Sequence, residues 1–450
     1  MVLNSSCPMS SAKNITIIGA GLAGLTAGHL LKKNGFCVTL LEAESLPGGR
    51  MSERRIKGLR FNTGARWIYS FSQEILDLVK QLDLQKHLRT VSKVPVFADV
   101  AGRTYKLRFG PDPRILLDSL LTPADKLRCL TLIPDLLRAR YRMDPNQLLT
   151  ADRFDSKSLA QYFAEKRLDR YAKYFVEPLF RGARCWNLGD ISPAFFLTTG
   201  AHMLGGQAYT LDQGIGLLCR TMSSQLNLVY GARVQDVIRL GTGGCRIKYT
   251  YDDQLVCREA DLVLCAVEGA RLSSLIREPR AEESSWFQAV RYSPGGVVHF
   301  GGQPRLSPMV RFMDDSASKR LSTIDISDEL TDTGDTQTRV SCYLSPEGAK
   351  EVRDQGLKSQ LATFIQKELP ADVMAFCQSA DAVAEQWIEH MLPVFYPGYL
   401  KKLNSFARYQ ADKRKTIYYA GDYMAQALVG GACRSGLEAA QTIIRHWGSN

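Results

Sequence analysis

The hydrophobic pattern is clearest at the start of the chain. A β-branched run at residues 15–18 predicts a short buried strand, and the apolar residues Leu25, Leu30 and Leu31 predict a helix after it. A second apolar run at residues 38–41 predicts another strand. Strand, helix and strand in this order predict a βαβ unit, whose first turn is a common ligand-binding point.

The same pattern divides the rest of the chain into helical and mixed stretches. Residues from about 104 to 204 are predicted to be mainly helical, because Leu127, Leu130, Ile133 and Leu137 lie three or four positions apart. Apolar runs then predict strands at 228–230, 234–238, 246–251, 255–259, 260–267 and 416–420. Strands and helices mix from 276 to 404, and a last helix is predicted at 435–446.

Three glycines in the first turn have separable roles. Gly19 permits the tight turn, Gly21 lets the backbone approach a pyrophosphate, and Gly24 lets the helix pack closely on the strand. Glu42 ends the second strand 18 residues after Gly24, close to the spacing of a carboxylate that binds ribose hydroxyls. An ordinary glycine turn is the alternative interpretation, but it leaves Glu42 unexplained.

Later turns have the same character. Gly49 and Arg50 follow the second strand, where a glycine admits a ligand close to the backbone and an arginine supplies charge beside phosphate. Residues 61–67 form another turn of small residues. Near the C-terminus, Gly421 and Asp422 end a strand, and residues 430–432 lead into a helix. These features predict a second anchor for a dinucleotide.

Composition indicates a soluble protein of several domains. The 450 residues are 45% hydrophobic and 23% charged, which excludes mostly disordered, collagen-like and multi-span membrane proteins. No apolar run reaches about 18 residues, so no spanning helix is predicted. Residues 1–13 lack the apolar part of a secretory signal, and we interpret them as a flexible tail of a cytoplasmic protein. No C-x-x-C pair occurs, so no metal site is expected.

The formal charge of +11 favours anionic partners, such as a nucleotide cofactor, acidic lipid head groups or nucleic acid. Residues 103–142 contribute nine basic and four acidic residues, mixed with leucines. Three interpretations of this segment stay open: contact with a membrane surface, the lid of an apolar pocket, or a solvated basic face over a packed core. No nucleic-acid-binding module is present, so nucleic acid is not an expected partner.

Together these motifs resemble the flavin-containing amine oxidoreductase superfamily over nearly the whole chain. Residues 177–182 and 386–399 resemble its branch of protoporphyrinogen oxidases and carotenoid desaturases. The resemblance implies an α/β fold, with a Rossmann-type, glutathione-reductase-like FAD-binding domain and an inserted α+β substrate domain that carries a helical subdomain. The implied FAD-binding domain consists of residues 14–100, 205–275 and 405–450. Residues 101–204 would form the helical part and 276–404 the mixed α/β part of the substrate domain.

The resemblance also implies which residues bind the FAD. Glu42 would bind the adenosine ribose, Val234 would pair with the adenine through its backbone, and Asp422 would face the ribityl chain. No cysteine occupies the position of a covalent flavin link, so noncovalent FAD is expected. The implied cofactor residues are Gly19, Gly21, Leu22, Ala23, Gly24, Glu42, Ala43, Gly49, Arg50, Gly64, Ala65, Arg66, Trp67, Val234, Gly421, Asp422, Val429, Gly431 and Ala432.

A single G-x-G-x-x-G motif leaves no second nucleotide domain for a nicotinamide, so the substrate itself is the expected hydride donor. We expect desaturation of a hydrophobic small molecule at a C–C or C–N bond, with electrons passing to O2 or a quinone. An amine oxidase proper and a non-redox isomerase or mutase remain alternatives.

Three residues are predicted to take part in the chemistry. Amine oxidases of this superfamily place a lysine where this chain has His299, so His299 is the predicted general base or water-positioning group. The alternative interpretation is that His299 is a buried core histidine whose hydrogen bonds are all made within the protein. Tyr399 and Tyr423 are predicted to wall the substrate pocket, and ordinary packing is their alternative.

Overall fold

The computed structural model describes residues 12–91, 94–108, 112–330 and 334–448. Most of the predicted N-terminal tail therefore lies outside the described residues. Five parallel strands form the first sheet, and their carboxyl ends meet at one edge. In spatial order these strands are Asn227–Val229, Cys37–Leu41, Asn14–Ile18, Leu262–Cys265 and Ile417–Tyr419. The sequence prediction of these five strands is confirmed.

Helices cover the parallel sheet because its strands are apolar on both faces. The helix Leu22–Lys33 follows the first strand. The C-terminal helix Val429–Trp447 packs against the helix Leu22–Lys33. A Cβ atom on Gly436 would lie 2.3 Å from the carbonyl oxygen of Ala23, so glycine is what allows these two helices to approach. The C-terminal helix begins at Val429, six residues earlier than the sequence pattern predicts.

A second sheet of seven strands forms the other layer of the molecule. Its spatial order is Ala382–Pro393, Tyr292–Gly302, Thr336–Leu344, Leu321–Leu330, Met309–Met313, Val96–Val100 and Arg103–Lys106. Val96–Val100 pairs in parallel with Met309–Met313, although the sequence division placed residues 96–100 in the implied FAD-binding domain. Alternation of polar and apolar residues predicts a strand but does not say which sheet the strand joins.

Three smaller sheets and sixteen α-helices complete the described part of the chain. The smaller sheets contain Arg233–Arg239, Cys245–Tyr251 and Gln254–Ala260; Glu53–Ile56 and Leu59–Asn62; and Ile68–Tyr69, Ala208–Leu211 and Leu88–Thr90. The other helices are Gln73–Gln81, Pro123–Cys129, Ile133–Arg142, Leu159–Glu165, Asp169–Tyr171, Glu177–Arg184, Pro193–Met203, Leu217–Ser224, Leu272–Leu275, Ala281–Ala289, Pro346–Gln355, Leu361–Ile365, Ala371–Ser379 and Tyr399–Asp412.

The helices within residues 123–142 carry large apolar side chains on their solvent-facing side. Leu127, Leu130, Ile133 and Leu137 are all exposed, while Leu132 and Ala139 pack inward. The predicted helical pattern is confirmed, but these four residues do not form the core that such a pattern usually marks. None of the described helices combines the length and the hydropathy of a bilayer-spanning segment.

Candidate functional site

A cavity of about 1700 Å³ lies along the carboxyl edge of the parallel sheet and extends into the helical part of the molecule. Its lining includes the residues that follow four of the five parallel strands, namely Gly19, Glu42, residues 266–268 and residues 421–422. Ligands of open α/β sheets bind at this edge. The cavity exceeds the range of about 300–1,000 Å³ that is usual for a single small-molecule site.

The turn after the first strand has open space beside one of its glycines and is tightly packed at two others. A Cβ atom on Gly24 would lie 2.1 Å from the carbonyl oxygen of Gly19, and Gly19 itself has a φ of +97°. A Cβ atom on Gly21 would meet no atom within 4 Å. Gly21 is also the N-cap of the helix Leu22–Lys33, and no side chain caps that helix. Its free N–H groups therefore open toward the cavity, as a phosphate site requires.

Glu42 is buried at the edge of the cavity and is held by the backbone. Its two carboxylate oxygens accept hydrogen bonds from the N–H groups of Ala20 (2.7 Å) and Glu44 (2.9 Å). Burial raises the pKa of Glu42 above its ordinary value, and these hydrogen bonds oppose the rise. Each oxygen keeps a lone pair that can accept a ligand hydroxyl.

Arg50 and Asp422 join the two halves of the cavity. The guanidinium of Arg50 donates to both carboxylate oxygens of Asp422 at 2.7 and 3.1 Å, and to the carbonyl oxygen of Met391 at 2.8 Å. Burial lowers the pKa of Arg50, but the neighbouring Asp422 more than offsets this effect, so the pKa ends above its ordinary value. The bidentate pair fixes a charged clamp between the N-terminal and C-terminal segments of the site.

The turn at residues 64–67 lines the cavity beside this clamp. The N–H group of Ala65 donates to the carbonyl oxygen of Arg50 at 2.7 Å, which holds the turn against the clamp. Arg66 forms an ion pair with the buried Asp325, and its guanidinium lies 4.8 Å from the ring centre of Trp67. The turn is therefore rigid on the side that faces the cavity.

The structure brings the cofactor residues predicted from sequence to one place. All of them border the cavity except Gly24 and Gly431, which allow close packing behind it. A Cβ atom on Gly431 would lie 2.1 Å from the carbonyl oxygen of Gln426. Val234 borders the cavity at a bulge in the strand Arg233–Arg239. Their individual roles toward a cofactor stay predictions.

His299 does not border the cavity, and its burial argues against the catalytic role expected for it. Its side chain is 3% exposed, packs 5.1 Å from the ring centre of Phe61, and shares a hydrogen bond of 2.8 Å with the hydroxyl of Ser341. Burial, with smaller contributions from Arg339 and Arg66, lowers its pKa well below the ordinary value. The imidazole is therefore neutral near pH 7 and lies within the seven-stranded sheet.

Tyr399 and Tyr423 are also buried away from the cavity, contrary to the pocket walls predicted from sequence. The hydroxyl of Tyr399 donates to the carbonyl oxygen of Tyr423 at 2.8 Å. The ring of Tyr423 fills the space beside Gly269 and Gly421, where a Cβ atom would lie 3.0 and 2.4 Å from it. These tyrosines support the site from behind, and we assign neither a catalytic contact.

The inner part of the cavity is an apolar chamber that the sequence analysis did not identify. Its aromatic and aliphatic lining comes from the helical stretches 169–184 and 193–203 and from the seven-stranded sheet. The lining residues include Tyr171, Phe175, Val176, Leu179, Phe180, Phe195, Phe196, Met203, Val310 and Phe312. The motif at 177–182 was the only sequence signal for this chamber, because the other residues meet only through the fold.

Comparisons with known proteins agree with this geometry. The family model described as flavin-containing amine oxidoreductase matches residues 22–444. FLOWERING LOCUS D of Arabidopsis thaliana is 27% identical over 263 residues, which are 57% of this chain and 31% of that protein. Putrescine oxidase of Kocuria rosea is 35% identical over 219 residues, 48% of this chain and 41% of that protein. The matched segments thus span less than half the length of these curated relatives.

Solved structures with a similar fold cover nearly the whole chain. A protoporphyrinogen oxidase-like protein of Exiguobacterium sp. has a TM-score of 0.74 at 17% identity, with 96% of this chain and 99% of that chain covered. A putrescine oxidase bound to putrescine has a TM-score of 0.72 at 17% identity, with 97% and 99% covered. A fatty acid isomerase of P. acnes has a TM-score of 0.68 at 16% identity, with 98% and 100% covered. At these identities the likeness shows the fold.

Proposed function

Because the chain belongs to the flavin-containing amine oxidoreductase family, whose cofactor is a flavin, we propose that it is an FAD-dependent oxidoreductase. The proposed reaction removes a hydride from one carbon of an apolar small molecule and a proton from the adjacent carbon or nitrogen, which leaves a C–C or C–N double bond, and the proton passes to solvent. O2 or a quinone then takes the electrons. The observation that carries this proposal is that one cavity joins a dinucleotide-type sheet edge to an apolar chamber.

The residues present fit a dinucleotide. The open position at Gly21, the uncapped helix beside it and the lone pairs of Glu42 match a pyrophosphate and a ribose in that order. The Arg50–Asp422 clamp and the turn at 64–67 follow toward the chamber. In this proposal the FAD-binding domain is Rossmann-type and discontinuous, as the sequence division describes, and the FAD is noncovalent.

Bound FAD supplies a hydride acceptor, and the chain's own residues supply the rest of the environment. The aromatic and aliphatic walls of the chamber exclude water and hold a flat or apolar substrate in a fixed orientation. With His299 buried behind the cavity, the reaction relies on this positioning rather than on a histidine base.

The test is anaerobic titration of the purified holoenzyme with an amine, a porphyrinogen and a polyene precursor, followed by visible absorbance. We expect an apolar substrate to bleach the flavin, and readmitted O2 or a quinone to restore its colour. Conversion of a substrate at full rate with no flavin reduction and no acceptor consumed would replace this proposal with the isomerase alternative.

We also propose that the segment 103–142 contacts a membrane with anionic lipids. The outward-facing Leu127 and Leu137 are 69% and 52% exposed, and Arg138, Arg140 and Arg142 stand among them without an ion pair to any described residue. Such a combination is typical of surfaces that lie on acidic bilayers.

The apolar surface also adjoins the cavity. Pro113 and Arg114 border the cavity, and Leu117, in the same short 3₁₀ helix Pro113–Leu117, is 81% exposed. An apolar substrate could therefore pass from the bilayer into the chamber without crossing water.

Replacing Leu127 and Leu137 together with Glu should weaken binding to phosphatidylserine-containing vesicles by at least about tenfold, since each buried leucine contributes about 1.5–3 kcal/mol. Co-sedimentation with the vesicles measures this. Leu255→Glu is the matched control, because Leu255 is 61% exposed on the separate strand Gln254–Ala260. Equal sedimentation of all three proteins, or loss of self-association instead of vesicle binding, contradicts the membrane assignment.

A further inference from the structure

Among the described residues, Arg184 is a cation of the apolar chamber that has no acidic partner. Arg184 ends the helix Glu177–Arg184, borders the cavity and is partly buried. Its guanidinium lies 5.6 Å from the ring centre of Phe195 and donates to the carbonyl oxygen of Ala183 at 3.1 Å. No carboxylate among the described residues approaches it within 4.0 Å. Arg184 therefore keeps most of its donors for a ligand.

The other charges around the chamber are already matched or positive. Arg66 is paired with Asp325, and the carboxylate of Asp112 at the mouth accepts from Arg114 at 2.6 Å. Lys106 and Arg108 also border the mouth. A substrate ammonium would thus meet positive charge and find no unpaired carboxylate among the described residues of the chamber. A substrate carboxylate would find an attractive field throughout.

Two buried hydroxyls add polar contacts to the same chamber. Thr199 and Thr323 border the cavity, and neither hydroxyl has a hydrogen-bond partner among the described residues. A Cβ atom on Gly182 would lie 2.4 Å from the Thr323 oxygen, so this hydroxyl packs directly against the glycine. Buried hydroxyls without partners are costly, and a bound oxygen atom would satisfy them.

We infer that the substrate is an apolar molecule with a carboxylate, and that Arg184 anchors this carboxylate by a charge-assisted hydrogen bond. The inference rests on the proposed function in one respect: the chamber must be the substrate site. It specifies the polar end of the ligand, and the aromatic walls take the apolar end.

The experiment measures binding of decanoate, decanol and decylamine to the anaerobic holoenzyme by isothermal titration calorimetry, below micelle-forming concentrations. The wild type should bind decanoate most tightly. Arg184→Met should weaken decanoate binding by about tenfold or more and leave decanol unchanged, because the variant loses a charge-assisted hydrogen bond to the carboxylate. Arg184→Lys should restore part of the loss.

Arg153→Met is the matched control, because Arg153 also stacks on an aromatic ring, 5.2 Å from Phe154, but does not border the cavity. It should bind all three ligands as the wild type does. Equal decanoate affinity in Arg184→Met and wild type, or tighter binding of decylamine than of decanoate, overturns the anchor. Arg184-dependent decanoate binding without flavin reduction by any substrate would keep the anchor and refute the redox proposal.

Discussion

Gly21→Val is expected to give a folded protein that retains less than about a tenth of the wild-type flavin, because the new side chain fills the space beside the helix N-terminus where a pyrophosphate would lie. The backbone at Gly21 is extended, so valine fits without strain. Loss of a good N-cap should cost only about 1 kcal/mol. Flavin absorbance per protein and the circular dichroism spectrum measure the two effects.

Two other glycine variants separate ligand exclusion from misfolding. Gly241→Val is the control, since a Cβ atom there also meets nothing within 4 Å but the residue lies away from the cavity. Gly24→Ala should lose flavin and stability together, because its Cβ atom would collide with the backbone of Gly19. Full flavin content in Gly21→Val would contradict the placement of the pyrophosphate.

Asp422→Asn is expected to lower the free energy of unfolding by about 3 kcal/mol, at the lower end for a broken buried ion pair because Arg50 is partly exposed. The isosteric amide keeps the volume but leaves the charge of Arg50 unneutralised between the two halves of the site. Flavin retention should fall as well. Urea denaturation of the wild type and the variant measures the difference.

An exposed ion pair provides the comparison for this result. Arg246 and Glu259 face each other across neighbouring strands, 2.8 Å apart and well exposed. Glu259→Gln should therefore cost at most about 1 kcal/mol. If Asp422→Asn costs no more than Glu259→Gln, the Arg50–Asp422 pair does not hold the site together.

The parallel sheet and its glycine turn could be predicted from the sequence because their signals are local. The run at 15–18, the three glycines after it and Glu42 lie within one βαβ unit, and each constraint acts on near neighbours. The start of the last helix at Val429 was not predicted, because the glycines at 430 and 431 have low helix propensity and hide the pattern of its first turn.

Features that depend on distant contacts could not be predicted. His299 lies on the predicted strand, but its orientation follows from the packing of Phe61 and Ser341, which are far away in sequence. The membership of Val96–Val100 in the second sheet follows from pairing with Met309–Met313. Likewise, leucines at helical spacing mark a core in most proteins, and only the structure shows that Leu127 faces outward.

The chamber is the largest part of the site that sequence reasoning missed. Phe180 and Phe195 lie on helices of the insertion, while Thr323 comes from a strand more than a hundred residues later. No spacing along the chain links such residues, since the fold alone brings them together. Arg184 escaped notice for the same reason: an arginine at a helix end is ordinary until its surroundings are known.

The most direct test of the account is the visible absorbance spectrum of the purified protein, followed by acid precipitation and identification of the released cofactor. We expect a flavin spectrum and FAD in the supernatant, with a colourless protein pellet. A protein that carries no flavin and binds none when FAD is added would contradict the central claim.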